Sequence, residues 1–127
     1  MDVCTQIGLM MPEILFFIKD LELGTKLSST CIDLGFQVEF SDENTDPDNF
    51  GEKVQMAIVD MDEKVFLSVG LISELKRRGL KVVGIMNKIN NRDQSKLTSA
   101  GCDIIITRSS ILKNIPNLVS ELLNKDY

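Results

Sequence analysis

Five short apolar runs, each followed by a stretch of helical spacing, constrain this chain more than any other feature. Ile14 to Ile18, Phe36 to Phe40, Met56 to Val59, Leu80 to Met86 and Ile104 to Ile106 are all of strand length. Between them, apolar residues recur every three or four positions. Leu23, Leu27, Cys31 and Leu34 make one stripe, and Val65, Val69, Ile72 and Leu75 make another. Leu97 and Ala100 mark a more polar helix, and Val119, Leu122 and Leu123 mark a last one. Asp20 and Asn90 or Asn91 are placed to cap helices, while Gly35, Gly79 and Gly101 are placed to end them. Pro116 costs a hydrogen bond deep inside a helix, so the spacing predicts that the last helix begins near Ile115. Ser41 to Asn49 is an acidic loop with Pro47 in it, and Phe50 to Val54 has room for a turn or two of helix.

Continuous apolar strands that alternate with helices form parallel sheets covered on both faces. The expected fold is therefore α/β, a doubly wound five-stranded parallel sheet. Function is expected at the carboxyl ends of its strands. Those ends carry Lys19 and Asp20, Asp60, Met86 to Lys88, and Thr107 with Arg108. At 127 residues the chain has the length of one domain, read as residues 13–127 behind an N-terminal tail over residues 1–12.

Composition removes several function classes. A net charge of −5 argues against a nucleic-acid surface, and no apolar run has the roughly 20 residues needed to cross a membrane. The first residues lack the basic start and cleavage site of a secretory signal, so a cytoplasmic location is expected. There is no histidine, which removes most zinc sites and every histidine-based triad. Cys4, Cys31 and Cys102 have no C-x-x-C spacing and read as reduced thiols. Asp42-x-Asn44-x-Asp46 starts like a calcium loop, but Pro47 replaces the turn glycine and Lys53 the bidentate glutamate. With no nucleophile and base pair evident, no enzyme activity and no catalytic residue are expected.

The order and spacing from Glu13 to Asn124 resemble the CheY-like receiver domains of two-component response regulators. Leu34-Gly35-Phe36 closes the first helix as in that family, and Ala100-Gly101-Cys102-Asp103 matches the short turn into its last strand. The resemblance implies Asp60 as the phosphoacceptor position. The family's adjacent pair of acids after the first strand falls on Ile18 and Lys19, with Asp20 just beyond. Its hydroxyl at the end of the fourth strand falls on Met86, and its lysine after the fifth falls on Arg108, followed by Ser109 rather than proline. Only Asp60 keeps its type, and Arg108 keeps a like charge. The pattern resembles an atypical receiver, or pseudo-receiver.

Charge arithmetic favours the same reading. An ammonium about 5 Å from a divalent ion repels it by roughly 7 kcal/mol at an effective dielectric near 20. Lys19 is expected either to replace the ion and pair with Asp60, or to extend its amine to solvent. Mg²⁺ is then expected only if Asp20 and Asp60 form a residual site. Arg108 is read either as a phosphate-facing fork or as an exposed surface arginine. Three functions stay open: a receiver-like signalling module acting through protein contacts with impaired or absent Mg²⁺-dependent phosphorylation, a working atypical receiver phosphorylated on Asp60, and a small-molecule-binding α/β domain. The implied partner is a protein, either a histidine kinase or a downstream signalling protein, or a second copy of the chain. The implied contact face carries Lys88, Arg92, Lys96, Arg108 and Lys113, for which a solvated helix face is an equal alternative.

Overall fold

In the computed structural model, which describes residues 12–46, 49–51, 53–66 and 69–123, the expected strands pair into one parallel sheet. Residues 1–11 of the expected tail, including Cys4, lie outside the described residues, as does Pro47. In chain order the elements are β1 (Ile14–Phe17), α1 (Leu21–Asp33), β2 (Val38–Phe40), β3 (Met56–Asp60), α2 (Val69–Arg77), β4 (Lys81–Met86), α3 (Asn91–Ala100), β5 (Ile104–Thr107) and α4 (Arg108–Leu123). The sheet order is β2-β1-β3-β4-β5, so β1 and β3 lie side by side and the chain winds outward from them in both directions. The expected doubly wound sheet is the observed one.

Alternation along the strands divides the core into two layers. Ile14, Phe16, Met56, Ile58, Val83 and Ile85 face α1 and α4, where they meet Leu27, Cys31, Ile111 and Ile115. Leu15, Phe17, Ala57, Val59 and Val82 face α2 and α3, where they meet Ile72, Leu75 and Leu97. Both described cysteines are buried, and burial pushes the Cys31 thiol up to about 12 and the Cys102 thiol up to about 11, which makes both inert.

Local chemistry sets the helix ends. Asp20 caps α1 by accepting from the backbone N–H groups of Glu22 at 3.1 Å and Leu23 at 3.2 Å. Asn90 caps α3 by accepting from Asp93 N–H at 2.8 Å, and its own side chain donates to the Asp93 carboxylate. Gly101 then ends α3 in the left-handed region at φ 112°.

The start of the last helix differs from expectation. It begins at Arg108, directly after β5, and Pro116 lies inside it. Ile111, Ile115, Leu118 and Val119 form a buried stripe that continues through the proline. Burying four such side chains is worth about 1.5–3 kcal/mol each, against about 3 kcal/mol for an interior proline. Packing against the sheet therefore overrides the local signal. The exposed Pro116 ring faces away from the core.

The turn from α3 into β5 is tightly built. Asp103 accepts from Lys76 Nζ and from Val82 N–H, both at 2.8 Å, and so ties α2 and β4 to the start of β5. A Cβ on Gly101 would lie 2.8 Å from Lys76 Cγ, on a backbone conformation that L-residues avoid. Gly101→Ala should therefore lower stability by about 1–2 kcal/mol in urea unfolding, with the slope of the transition unchanged.

Candidate functional site

The pairing register brings the strand ends to one edge. Asp60 pairs with Ile85, Phe17 with Val59, and Met86 with Thr107. Asp60 is the last residue of β3, and its direction follows Met56 and Ile58 toward the α1/α4 face. The same alternation carries Ile14, Phe16 and Ile18 on to Asp20, and Ile104 and Ile106 on to Arg108. Two acids and one arginine are thereby aimed at a common point.

Arg108 fills that point. Its guanidinium lies 2.8 Å from Asp60 Oδ2, 2.5 Å from Asp20 Oδ2 and 3.4 Å from Asp62 Oδ2. Asp60 is 1% exposed and is the buried charged side chain of the described core. Its second oxygen accepts from Asp62 N–H at 3.1 Å. The hydrogen bond to Asp60 is the main cause that holds the Arg108 guanidinium above its ordinary pKa. Asp20 is held below the usual carboxylate range, first by the Leu23 N–H and then by Arg108. Together Asp20, Asp60, Asp62, Glu63, Asn87 and Arg108 line an open cleft of about 630 Å³. A second groove beside it passes between α1 and α4, over Leu23 and Leu112.

The pairing of Lys19 with Asp60 is corrected. Lys19 Nζ reaches Glu43 at 3.0 Å and sits 5.8 Å from the centre of the Phe66 ring. Phe66 packs edge-on to Phe17, so Lys19 follows the parity of Phe17 toward the α2/α3 face, away from Asp60. Glu43 raises the pKa of Lys19 through their hydrogen bond. The reading of Arg108 as an exposed surface arginine is corrected as well, since its side chain is 23% exposed and forked over acids.

The remaining expected residues are scattered. Ile18 and Met86 are buried in opposite core layers, and Met86 offers no hydroxyl. Thr107 shares a hydrogen bond with Ser109 instead of entering the cleft. Lys88, Arg92, Lys96 and Lys113 are exposed, the first three on the β4–α3 loop and α3 and the last on α4. Asn87, expected at the strand ends between Met86 and Lys88, lines the cleft, whereas Asp62 and Glu63 are outside the expected site residues. Asp62, two past Asp60, and Asn87, two past Ile85, share the parity of the α1/α4 face, and that parity was a usable signal.

The donor set does not fit Mg²⁺ as it stands. Both oxygens of Asp20 and both of Asp60 already accept hydrogen bonds, and a guanidinium occupies the space between them. A divalent ion about 4 Å from that guanidinium would be repelled by roughly 8 kcal/mol gross at an effective dielectric near 20. Among the described residues, no group of three or more acid or thiol side chains is arranged to hold a metal. No described helix is long and apolar enough to cross a membrane.

No protein-family model matches the chain, and no curated protein matches it. Solved structures do match its fold. A response regulator from Thermotoga maritima superposes with a TM-score of 0.72 at 16% identity, covering 90% of this chain and 98% of its own. The chemotaxis protein CheY4 of Vibrio cholerae gives 0.75 at 11% identity, covering 88% and 98%. A pilus assembly-related protein from Burkholderia pseudomallei gives 0.69 at 14% identity, covering 90% of each chain. The chain thus has the fold of CheY-like receiver domains, a fold also found in proteins named for another role.

Removing the arginine alone strands a buried carboxylate. Arg108→Met should lower stability by about 3–5 kcal/mol in urea unfolding, and adding Asp60→Asn should recover most of that loss. Acid titration gives a separate check. A carboxyl whose folded pKa is depressed contributes stability above its unfolded value, near pH 4, and loses it as pH falls through the folded value. Asp20→Asn should therefore flatten the loss of stability below pH 4 and leave the profile from pH 6 to 8 unchanged in shape.

Proposed function

We propose that this protein is a receiver-like signalling module that works through protein–protein contacts, without Mg²⁺-dependent phosphorylation of Asp60. The carrying observation is the Arg108 guanidinium bound to Asp20, Asp60 and Asp62. A phosphoryl donor needs a divalent ion to screen the negative charge of the acceptor carboxylate. Here the screening charge is a side chain, and the attacking oxygens of Asp60 are committed to it and to Asp62 N–H. Asp60 is 1% exposed, so its approach to a donor requires Arg108 to move first.

On this reading the domain is non-catalytic and held in one state, and its signal passes through a bound protein such as a kinase or a downstream component. The exposed cations Lys88, Arg92, Lys96 and Lys113 supply charge for such a contact on an otherwise acidic chain. A cytoplasmic location accords with such a role.

One observation favours a second reading, a working atypical receiver. Arg108 is a forked donor beside Asp60, and an arginine fork binds phosphoryl oxygens well. The two readings separate under acetyl phosphate with Mg²⁺, read by intact mass. The first expects no added phosphoryl group. A gain of one phosphoryl group that disappears in Asp60→Asn would establish the second and overturn the first. A companion measurement uses Mn²⁺: Arg108→Ser should bind the ion more tightly than the parent protein, because the resident cation is gone.

A further inference from the structure

The Arg108 cluster does not end at its three acids. Asp62 Oδ2, the oxygen nearest Arg108 at 3.4 Å, also accepts the backbone N–H of Asn87 at 2.8 Å. Asn87 is the first residue after β4 and opens the exposed loop Asn87–Asn90 that leads to the cap of α3. Asp62 itself is oriented from behind, because its N–H donates to Asp60 Oδ1 at 3.1 Å. Arg108, Asp60 and Asp62 therefore form a closed triangle, and Asn87 hangs from one corner of it.

We infer that Asp62 is a positioning residue that couples the Arg108–Asp60 pair to the conformation of the β4–α3 loop. The inference rests on reading the cleft as a cation-held pocket, and it adds the route by which that pocket reaches a surface. Met86 is buried among apolar side chains and has no hydroxyl to carry such a message along β4. The route through Asp62 needs none. With the guanidinium in place, the Asp62 carboxylate is fixed between two donors and holds Asn87 N–H. If the guanidinium leaves Asp60, the carboxylate keeps one donor and gains freedom to follow the arginine or turn to water, and the loop amide is released.

The test reads a group that neither Arg108 nor Asp60 touches. Amide hydrogen exchange is followed by NMR on the whole chain without any phosphodonor, with Val83 of the central sheet as the internal reference. Asp62→Ala should speed exchange at Asn87 about ten-fold, the loss expected for a hydrogen bond to a charged acceptor, and leave Val83 unchanged. The double variant Arg108→Met with Asp60→Asn keeps the Asp62 acceptor and avoids a stranded buried charge. It should also speed exchange at Asn87, by about three-fold or more, and adding Asp62→Ala should then give less than the ten-fold step seen alone. Wild-type protection of Asn87 in the double variant would reduce Asp62 to a local turn contact and overturn the coupling, as would an unchanged Asn87 in Asp62→Ala. Phosphorylation of Asp60 by acetyl phosphate would defeat the proposed function but leave these exchange results standing, so the two ideas fail separately.

Discussion

A carboxylate delivered to the end of a buried strand must meet a positive charge, and here that charge is Arg108. Asp60 has almost no contact with water, and its two oxygens are met by the guanidinium 2.8 Å away and by Asp62 N–H. The attraction at such a distance exceeds 4 kcal/mol gross at an effective dielectric near 20, and desolvation of the two groups offsets much of it. The net contribution to stability is small, but the consequence for arrangement is large. Arg108 opens α4 with no intervening loop after β5, so the ion pair, the helix start and the sheet edge are fixed by the same few residues.

A side-chain cation differs from a dissociable one in a way that bears on signalling. A bound divalent ion comes and goes with its concentration and leaves open coordination positions for a phosphoryl group. The guanidinium is tethered, cannot be diluted away, and spends its donors on acids already present. A site of this kind favours one arrangement, and changing it requires a competing contact with differential affinity for another arrangement. On the proposed reading a partner protein provides that contact.

Much of the architecture was legible along the chain because strand and helix periods are local properties. The five apolar runs, the caps at Asp20 and Asn90, and the endings at Gly35 and Gly101 all appear where the spacing placed them. The last helix departs from the local spacing for a matching reason. Pro116 is a strong local signal, and the stripe of Ile111, Ile115, Leu118 and Val119 that outweighs it acquires its energy only when a sheet lies beneath.

The site residues were identified by type and position, but their partners were not. Order along the sequence determined that Lys19, Asp20, Asp60 and Arg108 would gather at one sheet edge, since parallel strands with right-handed crossovers end together. It did not determine which cation meets Asp60. The expected partner is Lys19 and the observed one is Arg108, and the two are separated by the face each occupies once β1, β3 and β5 are in register. Parity sends Lys19 with Phe17 toward Phe66 and Glu43, and sends Arg108 with Ile106 toward Asp60. Composition and period are properties of the chain alone, whereas an ion pair between residues 48 positions apart exists only after tertiary pairing has set distance and direction.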